Sequence, residues 1–324
     1  MVPRGQDGRA TDDRATHLPS AFCLPRGQDG RATDGRATDG RATDGRATDG
    51  RATDGRATDG RATRPLVSRG MLSISSVHFC PLPALPMNIL ALETATEACS
   101  AALWLSAANR CAERYELAPR AHNRLILAMV DSLLAEAGIG FGQLDAIAFG
   151  RGPGSFTGVR MAAGVAQGLA FAADLPVIPV STLAALAWQA FEETGHPVVY
   201  PCLDARMGEV YWAAYRCADS GEPLTLLVAE QVVVAGQITL PEPVDGSDLR
   251  GWGTGSGYAT YADIVAARLG SRLMGQMPDR FPTARSVAVL AARIGHSDNL
   301  LPSDQALPVY LRDNVAQKPG NAGR

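Results

Sequence analysis

Lysine is nearly missing from this chain: Lys318 is the single lysine among 30 basic residues. A Walker-type loop sets a lysine against nucleotide phosphates, and Schiff-base catalysis uses a buried lysine. Neither chemistry fits a body built with arginine alone. The six cysteines, Cys23, Cys80, Cys99, Cys111, Cys202 and Cys217, form no C-x-x-C pair. That spacing excludes a zinc knuckle or a small disulfide scaffold and fits a reducing cytoplasm. From Met87 onward the histidines are His122, His196 and His296, none with a second histidine four residues on. The two-ligand face of a zinc helix is therefore absent. No G-x-S-x-G elbow occurs, which removes the usual mark of a serine hydrolase. No apolar run reaches the roughly 18 residues that would cross a membrane.

What the sequence does contain falls into two unlike parts. GRATD repeats in tandem from Gly30 to Asp59, within a first segment of 13 basic and 10 acidic residues that ends at residue 86. It has no apolar period, so it cannot offset its chain entropy by burial, and it is expected to be disordered. The near-balance of charge argues against a basic nucleic-acid arm. A translated DNA repeat, with Met87 as the native first residue, is the expected origin. VSRGMLSISSVHFCPLPALP, between repeat and body, is too broken by polar residues and prolines for a signal peptide. Residues 317–324 are expected to be a second disordered tail.

The body carries a net charge of −6 and a regular pattern. NILALE, CSAALWLS and CAERYEL read as strands joined by short links. Arg120–Ala137 reads as a helix with two adjacent stripes, Leu125, Met129, Leu133 and Ile126, Val130, Leu134. DAIAFG is a strand, Thr157–Ala173 a helix, PVIPV a strand, and Ser181–Glu193 a helix opened by a hydroxyl cap. This β-β-β-α-β-α-β-α order predicts a meander followed by parallel crossovers, as in a ribonuclease H-like mixed sheet. A second half begins near Gly195. PVVYPCLDA, EVYWAAYR and TLLVAEQVVV read as strands, Tyr261–Leu269 and the stretch near Ser286–Ile294 as helices, and LPVYL as a short apolar run. The expected architecture is an α/β, actin-like pair of lobes, 87–194 and 195–316, with a cleft between them.

Three stretches could hold a ligand. In ETATEA, Glu93, Thr94 and Thr96 sit where a β-turn-β would approach phosphates; an ordinary hairpin with a capping threonine is the equal alternative. In GPGSFTGVR, Gly152 and Gly154 permit close backbone approach and Ser155 or Thr157 can cap the next helix. The partial positive charge of that helix end would favour an anion; a tight strand-to-helix turn is the plainer reading. GWGTGSGY, 251–258, could let a nucleotide base or sugar approach the second lobe; a flexible loop is the plainer reading. Asp204, Arg206 and Glu209 flank a hairpin turn, as a surface ion pair or an anion contact. The helix MAAGVAQGLAFAA is apolar nearly all round, with Gly164 and Gly168 four apart, so it is expected to be covered on every side. A partner helix is expected on that small-residue face, together with the Arg120–Ala137 helix. The predicted interface is Leu125, Met129, Leu133, Arg160, Ala163, Gly164, Gln167 and Gly168.

MNILALETATEACSAAL, RAHNRLILAMVDSLLAEAG, FGRGPGSFTGVRMAAGVAQGLAF, PVIPVSTLAAL, LDARMGEVYWAAY and PVYLRDNVA occur in that order. Together they resemble the TsaB (YeaZ) family of bacterial tRNA threonylcarbamoyladenosine synthesis, over Met87 to about Ala316. The family commonly carries aspartate where Glu93 stands. The resemblance implies an actin-like paralogue of TsaD, the subunit that transfers threonylcarbamoyl to N6 of adenosine 37 in tRNAs reading ANN codons. In TsaD a His-x-x-x-His binds metal; the matching positions are Thr182 and Leu186, which cannot replace those ligands. The resemblance thus implies a non-catalytic, cytoplasmic subunit with neither metal nor cofactor of its own. TsaD would be its heterodimer partner and TsaE would join them, with ATP or ADP in the complex and tRNA reached through it. The competing expectations are a homodimeric nucleotide-binding module, a weak ATPase or a metallopeptidase.

Overall fold

The computed structural model describes residues 86–219, 224–243, 246–295 and 299–312. The chain divides into Met1–Arg69 and Gly70–Arg324, and every described residue lies in the second unit. The repeat through residue 85 and the expected tail at 317–324 lie outside the described residues.

The continuous apolar run in NILALE makes β1 (Asn88–Glu93) the centre of the first sheet, since successive side chains point to opposite faces and both are buried. It pairs antiparallel with β2 (Ala98–Leu105), which pairs antiparallel with β3 (Arg110–Leu117). On its other side β1 runs parallel to β4 (Ala146–Gly150), and β4 to β5 (Val177–Val180). The order is β3-β2-β1-β4-β5. Leu90 lies opposite both Leu103 and Ile147, which fixes the register at the middle of the core. Crossovers are helical: α1 (His122–Ala137) precedes β4 and α2 (Phe156–Ala173) precedes β5. α3 (Thr182–Thr194) follows β5, with Ser181 Oγ accepting from the Ala184 N–H as its cap.

The second sheet repeats the first. β6 (Val198–Arg206) pairs antiparallel with β7 (Glu209–Arg216), and β7 with β8 (Thr225–Val234). β9 (Gly251–Thr254) and β10 (Leu273–Met277) add in parallel, giving β10-β9-β6-β7-β8. α4 (Gly257–Thr260) and α5 (Ala262–Leu269) join β9 to β10, and α6 (Ala284–Ile294) follows. β10 was not expected from LMGQM, whose single glycine and glutamine hide a short strand that draws its pattern from the sheet.

The halves exchange helices. Leu90 and Leu92 face α1 and α2, packing with Ile126, Leu133, Ala162 and Ala166. Ile89 and Ala91 face the other way, against Val287 and Leu290 of α6. α3 meanwhile supplies Leu183 and Leu186 to the second sheet, against Val199, Leu203 and Tyr215. The cut at 194/195 thus separates the sheets but not their cores. α6 is held on the first sheet at its N-terminus, where the Ala284 N–H donates to Ser100 Oγ (2.8 Å) and the Arg285 N–H to Glu113 Oε1 (2.9 Å).

GWGTGSGY is not a flexible loop. It forms β9 and the start of α4 inside the second core. A Cβ on Gly253 would lie 2.4 Å from the Tyr258 ring, and Gly255 combines φ +106° with a Cβ position 2.5 Å from the Cys202 carbonyl oxygen. These glycines make room for close packing, which composition alone cannot distinguish from flexibility.

Candidate functional site

A cavity of about 1060 Å³ lies between the ends of the two sheets. Its wall on the first sheet is made by the β1–β2 turn and the loop before α2. These are stitched together: the Ser155 N–H donates to the Ala95 carbonyl (2.7 Å), and Thr94 Oγ1 donates to the Gly158 carbonyl (2.8 Å). A Cβ on Gly158 would stand 2.1 Å from the Thr94 carbonyl oxygen, so the seam closes only around glycine. Ser155 caps α2, accepting from the Gly158 N–H at 3.0 Å. The Gly152–Pro153 peptide is cis.

The predicted ligand residues separate. Thr96, Gly154 and Ser155 line the cavity. Thr96 Oγ1 is buried without a hydrogen-bond partner. Glu93, Thr94 and Gly152 do not line it; they are buried behind the wall. Glu93 Oε1 accepts from the Ala95 N–H (2.6 Å) and Oε2 from Thr182 Oγ1 (3.4 Å). A Cβ on Gly150 would fall 2.0 Å from Glu93 Oε2, so that glycine leaves the carboxyl its space. Burial pushes the Glu93 carboxyl up to about 7, against the lowering effect of those hydrogen bonds. Glu93 is therefore a buried brace between β1 and α3, where the sequence placed a ligand contact. An acidic residue at a strand end carries no local sign of which way it turns.

The opposite wall comes from the β6–β7 hairpin. Asp204 accepts from the Arg206 N–H (2.8 Å) and pairs with the Arg206 guanidinium (3.1 Å). Arg206 also reaches across to Glu97 on the first sheet's side (3.4 Å). Arg312 pairs with Glu209 and donates to the Ala205 carbonyl (3.0 Å). Arg120, Arg206 and Arg312 all line the cavity. Two of them are already neutralised by carboxylates, which weakens the pull on an anion. The Asp204–Arg206–Glu209 group thus joins the lobes rather than lying on one surface.

The predicted partner residues also separate. Leu133 is 1 % exposed and Met129 9 %, both turned into the first core. Ala163 is buried as well, and Leu125 packs partly against the same core. These pack the fold. Arg160, Gly164 and Gly168 are exposed and Gln167 is half-buried. A Cβ on Gly164 or Gly168 would meet nothing within 4 Å. α2 is therefore open along one face, contrary to the expectation of cover on every side, and Phe171 on it is 79 % exposed. The Arg160 guanidinium lies 3.4 Å over the Phe156 ring, and its Nε donates to the Tyr310 hydroxyl (2.6 Å). Beside it a groove of about 470 Å³ runs between α2 and residues 306–310. Phe156 and Tyr310 were missed because they belong to no periodic stripe. The one sequence signal belongs to Phe156, an aromatic residue beside the Ser155 helix cap.

Thr182 and Leu186 are fully buried. Among the described residues no group of three or more histidine, cysteine, aspartate or glutamate side chains could hold a metal. Among them, too, no helix is long and apolar enough to cross a membrane.

Two five-stranded mixed sheets of one order, with a cleft between their ends, define an actin-like, two-lobe α/β protein. Comparison narrows the class. Residues 115–319 match the family "TsaD: tRNA N6-adenosine threonylcarbamoyltransferase". The tRNA threonylcarbamoyladenosine biosynthesis protein TsaB of Escherichia coli is 38 % identical over 242 residues, 72 % of this chain and 97 % of that protein. The protein of the same name from Haemophilus influenzae is 38 % identical over 235 residues, 72 % of this chain and 96 % of its own length. The solved structure of YeaZ from Pseudomonas aeruginosa superposes with a TM-score of 0.62 at 42 % identity, covering 69 % of this chain and all of that one. The chain belongs to the TsaB (YeaZ) family, the tRNA threonylcarbamoyladenosine biosynthesis proteins related to TsaD.

Proposed function

We propose that this chain is a non-catalytic subunit of the threonylcarbamoyl transfer machinery, pairing with TsaD through the open face of α2. The reading is carried by that face: a long helix with exposed Gly164, Gly168 and Phe171 and no covering element among the described residues. Small residues let a second helix approach closely, and Phe171 and the Arg160–Phe156–Tyr310 cluster add area and a charged rim. Support for the lack of catalysis comes from Thr182 and Leu186, buried where the related transferase would carry metal ligands. TsaE is assigned as the third member, ATP or ADP to the assembled complex, tRNA contact to the complex as a whole, and the site of action to the cytoplasm.

Reconstitution tests the proposal. TsaC, TsaD and TsaE are combined with tRNA, threonine, bicarbonate and ATP, with and without residues 87–324 of this chain. Product that depends on the added chain, and is lost with Gly164→Glu, is the expected outcome. Equal product without the chain would overturn it in favour of a homodimeric module. Turnover of ATP or peptide by the chain alone would favour an independent enzyme.

A further inference from the structure

Residues 306–312 form no helix and join no sheet, yet they touch both lobes. Ala306 is buried in the first core. The Val309 N–H donates to the Arg151 carbonyl at 2.7 Å, at the end of β4. Tyr310 receives the Arg160 hydrogen bond from α2. Arg312 then crosses to the second sheet's hairpin, at the Ala205 carbonyl and Glu209. Tyr310 lines both the cleft and the α2 groove.

We propose that residues 306–312 are a strap that couples the separation of the two lobes at the cleft to the shape of the groove beside α2. The physical reason is length. Three Cα–Cα steps lead from Val309 to Arg312, and an extended chain spans at most about 3.5 Å per step. The backbone between the Arg151 anchor and Arg312 can therefore span at most roughly 10 Å, with the Arg312 side chain reaching from there to the β6–β7 hairpin. Withdrawal of the hairpin beyond that reach breaks the Arg312 contacts or pulls Tyr310 away from Arg160. Either result changes the groove wall formed by Leu307, Pro308 and Tyr310. Ion pairs also cross between the lobes: Arg206 to Glu97, which is long and exposed and contributes little, and Arg151 to Glu230 on β8 (3.2 Å). The significance of the coupling for partner binding rests on the reading of the α2 face given above; the coupling itself does not.

The test uses the full chain labelled with ¹³C at alanine methyl groups. Arg312→Gln removes the hairpin anchor without touching α2, and Glu209→Gln breaks the same ion pair from the other side. Both are expected to shift the methyl resonance of Ala163, which lines the groove, and to speed hydrogen exchange of the Val309 amide at least tenfold. Arg206→Gln, on the same hairpin but off the strap, is expected to leave the Ala163 methyl in place. An unmoved Ala163 methyl in both anchor variants, with folded spectra, overturns the coupling. Titration with TsaD follows: a five- to tenfold weaker affinity for Arg312→Gln extends the coupling to the partner face, and unchanged affinity overturns that extension. If wild type itself fails to bind TsaD, the functional reading fails while the methyl and exchange results still decide the strap.

Discussion

The two sheets share one strand order, and each has an acidic residue near the C-terminal end of its first strand: Glu93 on β1 and Asp204 on β6. Their surroundings differ completely. Glu93 is sealed beneath Gly150 and held by the Ala95 N–H and Thr182, whereas Asp204 stands in the cleft wall and holds Arg206. The helices that follow the fourth strand differ as well. α2 runs unbroken for 18 residues with an open face, while its counterpart is interrupted at Tyr261 into α4 and α5. A repeated topology therefore decides where loops and strand ends meet. The side chains packed there decide whether a position braces, bridges or binds.

Five variants, in four comparisons, would break or sharpen this contrast. The largest effect is expected from the two faces of the first lobe's helices. Leu133→Ala should cost about 3 kcal/mol of stability in urea denaturation, because it opens a cavity in the core. Phe171→Ala should cost less than about 0.5 kcal/mol while weakening TsaD binding. Similar stability losses at both sites would mean that Phe171 is covered within the chain.

The second concerns the buried acid. The Glu93 carboxyl ordinarily titrates at 4.5 and is raised to about 7 here. Between those values the folded state holds a proton that the unfolded state has released. Its contribution is therefore favourable at low pH and is lost as pH rises toward and through 7. Glu93→Gln should remove that loss and raise stability at pH 8 relative to wild type, by up to about 3 kcal/mol. Glu113, raised to about 7 by burial as well, would keep a slope of the same sign. Melting temperatures across pH 5 to 8 measure this; parallel curves for wild type and variant would place the Glu93 carboxylate in contact with water.

The third is small and, unlike Leu133→Ala, stabilising. Gly164→Ala sits on the open face of α2 and should stabilise the chain by about 0.5–1 kcal/mol through helix propensity. A loss of stability on thermal melting would show that the face is occupied. The smallest effect belongs to the cleft mouth, where Arg206→Gln should change stability by less than about 1 kcal/mol, more weakly still in high salt. A larger, salt-insensitive change would make that pair a principal tie between the lobes.

Much of the frame was legible in the sequence because it rests on local pattern. NILALE, AIAFG and EVYWAAYR read as strands from their apolar runs, and Ser155 and Ser181 announced two helix starts through their hydroxyl caps. Direction was less legible. Leu133 and Ala163 sit on amphipathic helices whose apolar stripes are wider than the sheet beneath them. Periodicity gives the stripe but not the part of it that the chain itself covers. The glycines of 251–258 failed for a related reason: a residue without a side chain marks either freedom or a tight fit, and the neighbour that settles it is Tyr258 or Cys202.

The sequence by itself determined most of the strands and helices and their order, since these depend on neighbours a few residues apart; β9, α4 and β10 took their form from the second sheet. Tertiary structure alone decided that α3 and α6 trade sheets, that Glu93 turns inward, and that residues 306–312 join two lobes and two cavities. Each of those rests on contacts between residues distant along the chain, such as Val309 with Arg151, where only the closed fold brings the groups within reach.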